Sequence, residues 1–277
     1  MRALSLAYSP CPNDTYVFAA LTNGLLDAAP DVRAVLEDVE SLNASARRGD
    51  YEITKVSYGA VPELLERYRV LRSGGALGYG CGPLLVTRPQ NAAPLESFAE
   101  KTIAIPGERT TAFLLLRLAL GKAPPVIALR FDRIVDAVAE GVVDAGLIIH
   151  ESRFTYREAG LHAVADLGEW WEQTTGLPIP LGAILARRDL SDENIAEVEL
   201  AIRRSLQFAR THEDRIMPYV REHAAETSER VMRAHIELYV NDFTDDLGPS
   251  GEKAVHELFR RAAEAGLIPS GRDAAFA

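Results

Sequence analysis

The sequence predicts an α/β protein of two lobes enclosing a central cleft. Three observations carry this expectation. Short apolar runs alternate with helix-like segments as far as about residue 150, the pattern of strand–helix units with largely parallel sheets. Two similar strand-like segments, "GPLLVTRP" (82–89) and "GAILARRD" (182–189), bracket a second set of such units. Beyond the second segment the chain is almost exclusively helical. The simplest arrangement assigns residues 1–87 to lobe one and 88–186 to lobe two. Residues 187–277 then return to lobe one as helices, and the two similar segments act as crossing hinge strands. Ligands of open α/β sheets sit beyond the carboxyl ends of the strands, so two facing lobes place a cleft there.

Taken in order, "ALSLAY" reads as a strand leading to a helix that starts near Asn13 or Asp14 and carries Val17, Phe18 and Leu21. "VRAVLED" leads to "VESLNASARRG", a helix stopped by Gly49, and "ITKVSY" leads to "AVPELLERY". In the second set, "KTIAIPG" leads to "TTAFLLLRLALG", "VIALRF" to "DRIVDAVAEG", and "AGLII" to "HESRFTY". Ser191 is placed to cap the first C-terminal helix, with Asp192 and Glu193 favourable to its dipole. Ile195, Val198, Ile202, Leu206 and Ala209 mark that helix's apolar face.

A hydrophobic content of 47% against 25% charged residues is enough to bury a full core. The net charge of −10 argues against nucleic acid as a partner, because phosphate contacts need clustered Lys and Arg. It leaves room for a small anionic ligand, which helix N-termini can hold inside an acidic protein. The two cysteines, Cys11 and Cys81, form no metal-ligand motif and fit a reducing compartment. The start "MRALSLAYSPCPNDT" lacks a signal-peptide core and no apolar run is long enough to span a bilayer. The expected location is the cytoplasm, with no membrane partner and no metal.

Four stretches are placed to carry chemistry. "SPCPNDT" puts Cys11 and a polar pair at the start of a helix, which reads either as a capped turn or as a thiol activated by the helix N-terminus. In "KVSY", Lys55 and Ser57 share one face of a strand near its end, placed to hold a carboxylate if they are not simply solvated. "IPGERTTAF" joins a strand, a glycine turn and a helix start at Thr110 and Thr111, an anion site unless Thr110 only caps its helix. In "GLIIHESRFTY", His150 is the first side chain after an apolar strand and is suited to proton transfer near neutral pH. The other five histidines lie in polar or amphipathic segments with no such strand-end setting. The glycine-rich "SGGALGYGCG" (73–82) matches no phosphate-binding fingerprint and suits close backbone approach or entry to the hinge.

Together "SPCPNDTYVF", "LEDVESLN", "KVSYGA", "SGGALGYGCGPLLV", "IAIPGERTTAFLLL", "DAGLIIHESRFTY" and "GLPIPLGAILARRDL" resemble, in order and spacing, the 1,4-dihydroxy-6-naphthoate synthases of the futalosine-dependent menaquinone pathway. The resemblance runs to about residue 190, with weaker motifs beyond. It implies a fold similar to type 2 periplasmic binding proteins. It also implies a carbon–carbon lyase that cleaves cyclic dehypoxanthine futalosine without a metal or organic cofactor. The family's proposed proton acceptor corresponds to His150, and its substrate contacts to Lys55, Val56 and Ser57 and to Thr111 and Ala112, with Thr110 adjoining. The competing expectation is a cytoplasmic small-molecule binder of the same fold without catalysis; a ligand-sensing module is a third.

Overall fold

The computed structural model describes residues 3–225, 228–271 and 276. Its first third follows the expected alternation: β1 (Leu4–Tyr8), α1 (Pro12–Thr22), β2 (Val32–Leu36), α2 (Val39–Arg48), β3 (Ile53–Ser57) and the short α3 (Val61–Leu64). β1 lies between β2 and β3 and is parallel to both. Two short strands follow, β4 (Tyr68–Val70) and β5 (Ala76–Gly78), the latter inside the glycine-rich stretch.

The second lobe contains β6 (Leu84–Thr87), β7 (Ile103–Ile105), α4 (Thr111–Leu120), β8 (Val126–Ala128), α5 (Ile134–Ala139), β9 (Ala145–Ile148), α6 (Ser152–Thr155), β10 (His162–Asp166) and α7 (Leu167–Thr175). Its sheet runs β10-β6-β9-β7-β8. β11 (Ile179–Arg187) then returns to the first sheet, giving β2-β1-β3-β11-β4 with β5 alongside β11. The chain closes with α8 (Asp192–Thr211), α9 (Glu213–His223), α10 (Glu229–Tyr239), α11 (Asp242–Asp245) and α12 (Gly248–Glu264). No helix among the described residues is long and apolar enough to cross a membrane.

The two similar segments do not play the symmetric hinge role expected of them. β6 is paired only within the second sheet, with β9 and β10, and β11 only within the first, with β3, β4 and β5. The chain therefore changes sheet before each strand, at 79–83 and 176–178, and not at 87/88 and 186/187. An alternating apolar segment specifies a strand but not the sheet it joins, since either neighbour satisfies its backbone equally.

α1 is buried along almost its whole length, so it is a central helix with no solvent face. α8 lies against it through the anticipated stripe of Ile195, Val198, Ile202, Leu206 and Ala209. Ser191 caps α8 as expected, accepting from Asn194 N–H at 3.1 Å. One apolar cluster includes Val56 and Leu77 from the first lobe together with Leu85, Ile103 and Trp171 from the second. The lobes thus share a core and meet face to face along the carboxyl ends of β1, β3, β7 and β9.

Candidate active site

A cavity of about 650 Å³, counting the space that opens to solvent, lies between the lobes. Its lining brings together Lys55, Ser57, Thr110, Thr111, Ala112 and His150, six of the seven residues anticipated from sequence. The seventh, Val56, points to the opposite face of β3, as strand alternation requires, and is packed in the apolar core.

The first-lobe wall is built from polar side chains that satisfy one another. α1 begins at Pro12 with Cys11 at its N-cap, so Asn13 and Asp14 lie inside the first turn, not at the cap. Asp14 accepts from Ser9 Oγ at 2.7 Å and pairs with the ammonium of Lys55, both members of the ion pair being almost fully buried. The carboxylate that Lys55 neutralises is therefore the chain's own. Ser57 is held at two points by the buried Asn43: its N–H donates to Asn43 Oδ1 at 2.8 Å and its Oγ accepts from Asn43 Nδ2 at 3.2 Å. Gly182 lies opposite Ser57 in the ladder, and a Cβ there would stand 2.7 Å from Lys55 Cε. The glycine makes room for the buried lysine.

The second-lobe wall is different. Thr110 does cap α4, its Oγ1 accepting from Phe113 N–H at 3.3 Å and donating to Gly107 O at 2.8 Å. Thr111 Oγ1 ties the lobes together, donating to Leu181 O at 2.7 Å and accepting from Gly59 N–H at 3.1 Å. Gly59 permits this approach, because a Cβ would come within 3.0 Å of the Arg109 and Thr110 carbonyl oxygens. Both threonine hydroxyls are thus engaged within the chain. What α4 offers a ligand are the N–H groups of Thr111 and Ala112, which by helical geometry have no intrahelical acceptor. The amides after β3 are not available for that purpose: Tyr58 N–H donates to Leu181 O and Gly59 N–H to Thr111.

His150 follows β9 with φ +57°, a left-handed conformation uncommon for a residue with a side chain. Its ring lies edge-on to Phe131, centroids 5.1 Å apart, and nearly parallel to His235 at 6.1 Å. Burial draws its pKa down to about 4, against the opposing pull of Asp14, so the imidazole is neutral and able to accept a proton at neutral pH. Among the described residues no hydrogen bond of the chain engages its ring nitrogens. Burial, reinforced by Glu151, pushes the Cys11 thiol well above its ordinary range, which disfavours the nucleophilic thiolate. The ligand atoms of Cys11, His150 and Glu151 lie within 4.8 Å of one another.

Sequence reasoning missed Asn13 and Asp14 as cavity residues, Asn43 as the holder of Ser57, and His235 and Tyr239 from α10. His235 contradicts the contrast drawn among the histidines, since it is buried on the cavity wall. A signal was present: Val231, Met232, His235 and Tyr239 recur at helical spacing, which puts the imidazole on the buried face of α10.

The chain matches the menaquinone biosynthesis family over residues 4–264. It is 50% identical over 274 residues to the 1,4-dihydroxy-6-naphthoate synthase of Thermus thermophilus, covering 98% of each chain. Among solved structures, a protein from Archaeoglobus fulgidus superposes with a TM-score of 0.90 at 37% identity, covering 96% of this chain and 98% of that one. The alkanesulfonate-binding protein of Xanthomonas axonopodis pv. citri superposes at 0.76 with 14% identity, over 99% and 98% of the two chains, a likeness of fold alone. At half identity over nearly the full length of both chains, the protein belongs to the 1,4-dihydroxy-6-naphthoate synthase family of menaquinone biosynthesis, enzymes on a two-lobed periplasmic-binding-protein-like fold.

Proposed function

We propose that the protein is a lyase that binds cyclic dehypoxanthine futalosine between its lobes and converts it to 1,4-dihydroxy-6-naphthoate, with His150 as the proton acceptor. The observation that carries this reading is a neutral imidazole at a cavity wall, its nitrogens free of hydrogen bonds from the described residues. A binder of the same fold has no need of such a group. The substrate's anionic end is assigned to the N–H groups of Thr111 and Ala112, where the helix dipole favours negative charge. Ser57, fixed by Asn43, has its hydroxyl hydrogen left to donate to the ligand. Lys55 sets the field of the floor through its pair with Asp14.

Aromatisation of the product ring supplies driving force, so the protein's share is to orient the ligand, take one proton and keep water out while the carbon–carbon bond breaks. A cavity walled by both lobes suits that share, because charge developing where water is partly excluded is felt strongly by fixed donors. The reading places the enzyme in the cytoplasm with a small anionic substrate. Incubation of purified protein with cyclic dehypoxanthine futalosine should release 1,4-dihydroxy-6-naphthoate, followed by mass spectrometry; absence of product would overturn the assignment.

A further inference from the structure

His235 is buried on the cavity wall at the middle of α10, between the rings of Tyr239 (4.5 Å) and His150 (6.1 Å, nearly parallel). One of its nitrogens is held. Asn13 Nδ2 donates to Asp14 Oδ1 at 2.9 Å, and Asp14 is in turn the acceptor for Lys55 and Ser9. That fixes the orientation of the Asn13 amide and presents its Oδ1 to His235 Nε2 at 2.9 Å. An amide oxygen only accepts, so Nε2 carries the proton. Burial, with His150 and Lys55 adding to it, holds this imidazole well below its ordinary pKa, so it is neutral and its Nδ1 is a bare lone pair. Nδ1 is buried and has no hydrogen-bond partner among the described residues. Orphaned buried acceptors are rare in folded proteins, and one on the wall of a ligand cavity calls for a donor from the ligand.

The geometry points to His235 as a second substrate-contacting histidine, whose Nδ1 accepts a hydrogen bond from a hydroxyl group of the bound ring system. This deepens the reading above and rests on it, since it requires that the cavity hold the hydroxylated substrate and product. It also sets orientation. A carboxylate placed against the Nδ1 lone pair would be repelled, whereas the first turn of α4 attracts it. The two ends of the ligand are therefore told apart by opposite walls, carboxylate to α4 and hydroxyl to α10. The relay Lys55–Asp14–Asn13 is what keeps the accepting nitrogen free: reversing the Asn13 amide would force the other tautomer.

Two substitutions separate the nitrogens. His235→Gln keeps an amide donor at the Nε2 position, and with it the link to Asn13, but has no acceptor at the Nδ1 position. His235→Asn keeps an amide oxygen at the Nδ1 position and loses the link. Loss of one hydrogen bond predicts a KM for the Gln variant raised roughly tenfold, with kcat far less affected and thermal stability close to wild type. The Asn variant should have the smaller KM change and the lower melting temperature. The reverse order, with the Gln variant binding like wild type, would overturn the inference. Should neither variant fold, wild-type protein labelled with 15N-histidine decides it. On adding 1,4-dihydroxy-6-naphthoate, the His235 Nδ1 resonance should move in the direction of an accepted hydrogen bond. A perturbed His150 with an unmoved His235 would reject the inference and keep the cavity assignment, and no movement of either would reject both.

Discussion

On the first-lobe wall Lys55 faces Asp14, Asn13 faces His235 and Asn43 holds Ser57. On the second-lobe wall the His150 ring and the leading N–H groups of α4 meet the cavity with no hydrogen-bond partner among the described residues. The difference is clearest at two helix starts that follow parallel strands. α1 carries its own carboxylate, Asp14, in the first turn, and a buried lysine answers it. α4 has no acidic residue in its first turn and is capped by a neutral threonine. One positive helix end is answered by the protein's own carboxylate, and the other has no acidic residue in its first turn. Groups already bonded need no reorganisation when a ligand arrives, whereas groups that bond or react must be left free for it. The first-lobe wall is therefore held largely by its own hydrogen bonds and ion pair, and the second leaves more of its polar groups open.

The severest way to break the contrast is to remove His150, the proposed proton acceptor. His150→Asn keeps polarity and approximate size but cannot accept a proton near neutral pH. Turnover should fall about 10²- to 10⁴-fold with KM little changed, measured by steady-state appearance of product. A near-normal rate would move the base elsewhere on the walls.

On the satisfied wall, Lys55→Met strands the buried Asp14 carboxylate. Removing one partner of a buried pair costs about 3–5 kcal/mol, seen as a lower midpoint in urea unfolding. Adding Asp14→Asn to the same chain should recover much of that loss, because the stranded charge then disappears. If Lys55→Met alone leaves the midpoint unchanged, the pair is not what orders the floor.

The acid response sharpens the comparison through His150. Its pKa is about 4 in the folded protein against 6.5 as the ordinary value. Between the two, the unfolded chain binds more protons than the folded one, so stability falls as pH drops from 6.5 toward 4 and this contribution levels off below. The ring is partly accessible, which limits the loss to about 1–3 kcal/mol. His235, depressed in the same direction, adds to it. Unfolding titrations at several pH values should show a shallower acid slope in His150→Asn than in wild type. The acid limb of kcat/KM should lie near pH 4, well below the ordinary histidine range.

The smallest effect is expected at Thr111. Its hydroxyl is engaged with Leu181 O and Gly59 N–H across the lobes. Thr111→Val leaves those groups unpaired and weakens the bridge between the lobes while sparing the backbone N–H. KM should rise several-fold, consistent with about 1–2 kcal/mol, with kcat close to wild type. An unaltered KM would show that this bridge does not shape the ligand cavity.

Much of this protein was legible in the chain. Strand–helix alternation specified the α/β class, and strand-end positions located Lys55, Ser57, Thr111 and His150, because period and apolar runs are local properties of sequence. The αL turn of His150 was not legible, since nothing in its neighbours demands that conformation. Three things were decided only by the tertiary structure. Sheet membership of β6 and β11 depends on which neighbour each strand meets. The engagement of Lys55 by Asp14, and of the Thr111 hydroxyl by Leu181, depends on residues 41 and 70 positions away that folding brings within hydrogen-bond reach. His235 reaches the site from 222 residues beyond Asn13. A hydrogen bond is set by distances of about 3 Å between particular atoms, and no local pattern records which distant atom will supply the partner.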